Sequence, residues 1–91
     1  MTKQDFVDAV AGKANLTKRD AASAVDAFLD VVTDTLSSRD TVTFTGFGKF
    51  HTTNRAARMG VNPRTGAPVH IQAATVPKFS AGSQLKKAVN A

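Results

Sequence analysis

From Asn54 to Gly66 the chain reads Asn-Arg-Ala-Ala-Arg-Met-Gly-Val-Asn-Pro-Arg-Thr-Gly, with three arginines, no acid, and only Met59 and Val61 as large apolar side chains. Such a stretch cannot join a hydrophobic core. It closes in Asn62-Pro63-Arg64-Thr65-Gly66, where proline presets φ, Asn suits the flanking position, and glycine supplies φ > 0. The pattern predicts a protruding β-hairpin arm, about residues 54–70, with Pro63 at its tip. A cationic arm without an apolar face of its own needs a partner outside the chain.

Ninety-one residues make a single domain, 1–91. With a dozen of them committed to an arm, little is left to bury, and small cores need disulfides, a metal or oligomerisation. The chain has no Cys, so disulfides and thiolate metal sites are excluded. His51 and His70 lie far apart without nearby acids, so no metal site and no cofactor are expected. Oligomerisation remains. No run approaches the roughly 18 apolar residues of a membrane helix, and the N-terminus lacks the apolar stretch of a signal peptide. The expectation is a soluble cytoplasmic protein with no membrane or small-molecule partner.

Charge is segregated. All seven acids are aspartates within residues 1–40, against five bases there, a balance of −2. Residues 41–91 carry seven bases (Lys49, Arg55, Arg58, Arg64, Lys78, Lys86, Lys87) and no acid. Solvated surfaces usually mix signs, so an acid-free half implies a polyanionic partner, with nucleic acid preferred to anionic membrane.

Along the chain, Thr2-Lys3-Gln4-Asp5 resembles a capping box, and Phe6, Val7, Val10 and Ala14 follow one helical face. Gly12 weakens that helix and Asn15 suits its end. Thr17-Lys18-Arg19-Asp20 is a second cap, opening a helix from about Lys18 to Ser37. Its apolar row, Ala21, Val25, Phe28, Val32 and Leu36, flanked by Ala24, Leu29 and Val31, is wide for a helix packing on one short neighbour. Residues 1–39 therefore read as a helical dimerisation part. After the polar break Ser37–Asp40 the period becomes two: Val42 and Phe44 alternate with threonines, Gly46-Phe47-Gly48 turns, and Lys49–Asn54 alternates with Phe50 inward. Ala67–Ala73 returns as a third strand that continues through Val76–Phe79 with a break at Pro77. The sheet with its arm spans 40–80. Ser80–Ser83 reads as a loop and candidate cap, and Leu85, Ala88 and Val89 mark a short last helix within 81–91, with Lys86 and Lys87 outward. The class is α+β.

No catalytic constellation emerges. Asp26, Asp30 and Asp34 fall at i, i+4, i+8, but nothing apolar or cationic surrounds them to split their pKa values, and a solvated stripe is preferred. Phe44, Phe47, Phe50 and Phe79 could stack on RNA bases, yet Phe44 and Phe50 share the phase of Val42, which favours a core with Phe28. Gly46-Phe47-Gly48 lacks the third glycine of a nucleotide loop and joins two strands. The chain is not expected to be an enzyme. For the arm, Val61 or Pro63 offers a rigid apolar wedge beside arginines, the combination used in minor-groove binding.

Thr45-Gly46-Phe47-Gly48-Lys49-Phe50, Arg55-Ala56-Ala57-Arg58, Asn62-Pro63-Arg64-Thr65-Gly66 and Val76-Pro77-Lys78-Phe79 together resemble the signature of the bacterial histone-like HU and integration host factor family, over the full length of the chain. The family is itself among the examples behind the minor-groove rule. The resemblance implies an intertwined homodimer: a helical base from the two N-terminal helices, a three-stranded antiparallel sheet per chain extended into a β-hairpin arm, and a short C-terminal helix. It implies arms lying in the minor groove of double-stranded DNA. The DNA-binding set would be Lys3, Arg55, Arg58, Met59, Val61, Asn62, Pro63, Arg64, His70, Lys78, Ser83 and Lys86, with Lys87 beside them and Pro63 as the intercalating wedge. The dimer core would be Phe28, Leu29, Val32, Leu36, Val42, Phe44, Phe47, Phe50 and Phe79.

The implied function is architectural, largely sequence-independent DNA binding and bending in the nucleoid, with preference for bent, nicked or flexible duplex. Thr53, Val61, His70, Thr75, Ser80 and Ser83 stand where relatives often carry Lys or Arg, and Ala81 where proline is common. Each lost phosphate contact lowers the salt slope by about 0.9 and weakens binding, so modest affinity is expected. The HU type is preferred because the arm has few side chains able to read base edges. Competing readings are a sequence-preferring bender of the integration host factor type, an RNA-binding or ribosome-associated module, and a dimer whose arm docks on an acidic protein.

Overall fold

A computed structural model describes all residues, Met1 to Ala91. The elements are α1 (Lys3–Ala14), α2 (Lys18–Ser37), β1 (Val42–Phe44), β2 (Gly48–Arg55), β3 (Arg58–Val61), β4 (Pro68–Ile71), β5 (Ala74–Ala81) and α3 (Ser83–Val89). The chain divides into two compact units, Met1–Asp34 and Thr35–Ala91. No helix is long and apolar enough to cross a membrane.

In the first unit, α1 opens on a complete capping box. Thr2 Oγ1 accepts from the Asp5 amide at 3.2 Å and Asp5 Oδ2 accepts from the Thr2 amide at 3.0 Å, satisfying two donors that a helix start leaves unpaired. The helix stops at Asn15, which takes the left-handed conformation at φ 57 and, with Leu16, donates to the Ala11 carbonyl. Asn is one of the few residues that accept this geometry cheaply. At the start of α2, Thr17 Oγ1 accepts from the Asp20 amide at 3.1 Å.

The core of this unit is Val7, Ala11, Ala21 and Val25, with Val10 and Ala22 against it. These are small side chains. The large ones stay out: Phe6, Phe28, Leu29 and Val31 are all exposed. Phe6, Val10, Ala24, Val25, Phe28 and Leu29, with Lys3 at the rim, line an open hollow of about 570 Å³. The helical face predicted to be too wide for one neighbour is left largely uncovered.

Helix α2 ends in the second unit on a reciprocal C-terminal cap. Arg39 adopts φ 63, its amide donates to the Leu36 carbonyl, and the Asp40 amide donates to that of Thr35. This is the Schellman arrangement, here with arginine at the position that glycine usually takes.

The strands form two sheets. β1, β2 and β5 make an antiparallel sheet in the order β1-β2-β5, and β3 pairs antiparallel with β4 in a separate ribbon. Val42, Phe50 and Phe79 are register partners and share one face. Lys49 and His51, opposite Ser80 and Lys78, occupy the other. The turn between β1 and β2 is closed by Phe47 N–H to the Phe44 carbonyl at 2.9 Å, with Gly46 at φ 84, a value that favours glycine. Phe47 stays half exposed and meets the Phe79 ring at a centroid distance of 5.8 Å, while Phe50 and Phe79 lie 4.8 Å apart.

Three boundaries differ from the sequence expectation. The second and third strands do not run unbroken into the arm: Ala56-Ala57 and Gln72-Ala73 interrupt them opposite one another. Pro77 does not break β5, because β5 is an edge strand and proline fits where no partner needs its missing amide. Ser80 and Ala81 belong to β5 and not to a loop. Ser83 is the first residue of α3, and the capping position is Gly82, which offers no side-chain cap. The Gly46 carbonyl takes that role, accepting from the Gln84 and Leu85 amides at 3.1 and 3.2 Å, while Gly82 donates to the Phe47 carbonyl at 2.7 Å.

Candidate nucleic-acid interface

The arm is a four-pair ribbon: Arg58 opposite Ile71, Met59 opposite His70, Gly60 opposite Val69, and Val61 opposite Pro68. Alternation divides it into two faces. Arg58 shares one with Val69 and Ile71; Met59, Val61, Pro68 and His70 share the other. Gly60 lets Ile71 pack close across the ribbon: a Cβ there would lie 2.9 Å from Ile71 Cδ1 and displace the end of that side chain. Met59 and Val61 are 64% and 70% exposed, too open for these side chains to serve a core within the chain.

The tip is built by its own polar groups. Asn62 Oδ1 accepts from the Arg64 amide at 2.8 Å, the Asn62 carbonyl accepts from Gly66 at 2.7 Å, and the Asn62 amide donates to Ala67 at 2.8 Å. Thr65 Oγ1 accepts from the Ala67 amide at 3.2 Å, and Gly66 supplies φ 71. Asn62 is thus half buried and occupied with the turn, while Pro63 and Arg64 stand exposed at its apex. The structure brings a rigid apolar ring and a guanidinium to one point.

The remaining cations fall in three places. Lys49, His51 and Lys78 share the face of the three-stranded sheet opposite Phe50 and Phe79. Arg55 ends β2, its Nη2 donating to the Gln72 carbonyl at 2.8 Å. Lys86 and Lys87 lie exposed on α3, as does Ser83. Lys3 belongs to the helical unit, where its Nζ lies 2.6 Å from Asp26 Oδ1. His51 Nε2 is hydrogen-bonded to Ser80 Oγ at 2.9 Å. Lys49 was missed as a candidate, although its phase, opposite to Phe50, could have placed it beside His51 and Lys78.

An acid-free sheet face that carries an arginine-bearing ribbon with a proline tip defines a protein that binds a polyanionic double helix. The chain belongs to the bacterial DNA-binding protein family, whose profile matches residues 1–90. It is a DNA-binding architectural protein of the HU type and not an enzyme. It is 54% identical over 90 residues to DNA-binding protein HRL53 of Rhizobium leguminosarum, covering 99% of each chain. It is 51% identical to DNA-binding protein HU-alpha of Vibrio proteolyticus, covering 98% of this chain and 99% of that one. Among solved structures, the Anabaena HU–DNA cocrystal superposes with a TM-score of 0.92 at 44% identity, over 98% of this chain and 97% of that chain.

Proposed function

We propose that the protein acts as a homodimer in the cytoplasmic nucleoid, binding double-stranded DNA largely without regard to sequence and bending it. The arms lie in the minor groove, Pro63 enters a base step as a wedge, and Arg55, Arg58 and Arg64 follow the phosphate walls. Met59, Val61, Asn62 and His70 line the arm's contact with the groove, and Lys3, Lys78, Ser83 and Lys86 meet the flanking backbone. The observation that carries this reading is the exposed Pro63 beside Arg64 at the end of a ribbon with no carboxylate.

Lys and Arg release counterions without reading bases. Smoothly bending a short site by tens of degrees costs on the order of 1–6 kcal/mol, offset by the contacts that wrapping permits. DNA already nicked or kinked avoids part of that cost and should bind more tightly. The homodimer rests on the uncovered apolar face of α1 and α2 and on the half-exposed rings of Phe44, Phe47 and Phe79, self-complementary surfaces that suit a two-fold partner.

The test is a salt titration of binding to two duplexes of unrelated sequence, intact and nicked, beside a matched double-stranded RNA. Equal affinity for both sequences, a steep salt slope and tighter binding to nicked DNA are expected. Tight binding to one sequence alone would identify a site-specific bender, and RNA binding equal to DNA would overturn the assignment of the arm.

A further inference from the structure

On β2 every second residue from Lys49 falls on the face of the three-stranded sheet opposite to Phe50, so Lys49, His51, Thr53 and Arg55 form one row. Lys78 of β5 stands directly across from His51, with Val76 and Ser80 on either side of it. From β1 this face receives Thr43, the partner of Lys49, and no charged group. The nearest acid in sequence, Asp40, precedes β1, and its Oδ1 accepts from the Thr41 amide at 2.8 Å. No acidic side chain follows it in the chain.

His51 is half-buried, and its Nε2 is hydrogen-bonded to Ser80 Oγ at 2.9 Å. A hydroxyl both donates and accepts, so Ser80 serves the ring in either state. It donates to a bare Nε2 and accepts from a protonated one. The ring can therefore change its charge without leaving its place, and Nδ1 remains for a second partner.

Charge decides what that partner is. Histidine becomes cationic within roughly pH 5 to 8. An imidazolium at this position has one ammonium group across the ladder, another two residues along its own strand, and no carboxylate to pair with. Like charges directly opposite one another repel. The group that suits all three cations is an external anion rich in oxygen acceptors, and a phosphodiester is one.

We propose that Lys49, His51 and Lys78 form a phosphate-binding site on the sheet face, in which His51 binds as the imidazolium, so that DNA binding takes up a proton. The complex then holds more protons than the free protein and DNA, and affinity rises as pH falls. His70 does not share this role. It lies on the arm ribbon opposite Met59, on a face with Val61 and Pro68 that has no lysine or arginine. The site rests on the proposed function, which supplies the phosphodiester.

The deciding experiment counts protons. Binding to one duplex is followed by calorimetry at about pH 6.5, within the histidine range, in a pair of buffers of different ionisation enthalpy. The wild type and His70→Gln are expected to take up protons on binding, and His51→Gln and His51→Lys to take up none. Salt titrations at about pH 5.5 and about pH 7.5 then test the contact itself. The wild type should show a salt slope steeper at the lower pH by about 0.9 for each His51 engaged, with binding about three- to tenfold tighter at about 0.1 M salt.

His51→Gln should keep the shallow slope at both pH values. His51→Lys, charged throughout, should keep the steep one, which a merely structural role for the ring would not produce. Proton uptake by His51→Gln equal to that of the wild type, or its loss in His70→Gln alone, would overturn the site while leaving DNA binding in place. No binding of duplex by the wild type at either pH would overturn the proposed function, and the site with it.

Discussion

Lys3 Nζ lies 2.6 Å from Asp26 Oδ1, tying the first residue of α1 to the middle of α2. Both side chains are more than half exposed, so the pair contributes only about 0–1 kcal/mol to stability. Its larger effect is competitive: a lysine held by a carboxylate must leave it to meet a phosphate. Asp26→Asn should leave the thermal midpoint nearly unchanged and tighten DNA binding by up to about fivefold, the equivalent of about 1 kcal/mol. Unchanged or weaker binding in a fluorescence titration would show that Lys3 does not reach the DNA.

Pro63 stands at the apex of a turn held by Asn62 and Thr65, not by the proline itself. Pro63→Ala therefore keeps the turn's hydrogen bonds and removes the rigid ring. Bend angle, read by end-to-end energy transfer, should fall clearly, while affinity changes by no more than about threefold, because phosphate contacts dominate binding. Equal losses in both would sink the wedge.

The four buried side chains of the helical unit include two alanines, while Phe28 and Leu29 border an open apolar hollow. Folding and dimerisation should then be one process. The unfolding midpoint is expected to rise with protein concentration, as mass action requires when association stabilises the native state. Leu29→Asp should give a monomeric, largely unfolded chain by sedimentation and circular dichroism. A midpoint independent of concentration, with a folded Leu29→Asp monomer, would remove the dimer from the account.

Local chemistry carried the elements whose determinants lie close together in the chain. The Thr2–Asp5 box, the Asn15 stop, the change of period after Asp40 and the Asn62–Gly66 turn each depend on residues within five positions, and each is present in the structure. What sequence did not reveal depends on pairing between distant segments. Pro77 reads as a break until β5 is known to be an edge strand. Ser80 reads as loop until its register with Lys49 is known. The interruption at Ala56-Ala57 and Gln72-Ala73 is silent for the same reason, since alanine carries no signal for either outcome. The second task of Asn62, whose Oδ1 shapes the tip by accepting from the Arg64 amide, was likewise visible only once the turn was built.

Gly48 illustrates how a distant contact can be tested from a local change. It is buried in the base sheet, and a Cβ there would run into the Phe79 ring and lie 2.8 Å from the Ser80 carbonyl oxygen. The Ser80 carbonyl is backbone of the paired strand and cannot yield as a side chain would, and Phe79 would have to shift against Phe47 and Phe50. Gly48→Ala should therefore destabilise the protein by about 1–3 kcal/mol, the usual cost of overpacking. Gly12 provides the opposite case: it lies within α1 with nothing within 4 Å of the position of a Cβ. Gly12→Ala should stabilise by about 0.5–1 kcal/mol through helix propensity alone. Denaturant midpoints measured at one fixed protein concentration decide both. If Gly48→Ala were neutral, Phe79 would not be held against β2, and α3, which hangs from the adjoining Gly46–Phe47 turn, would lose the rigid support that aims Lys86 and Lys87.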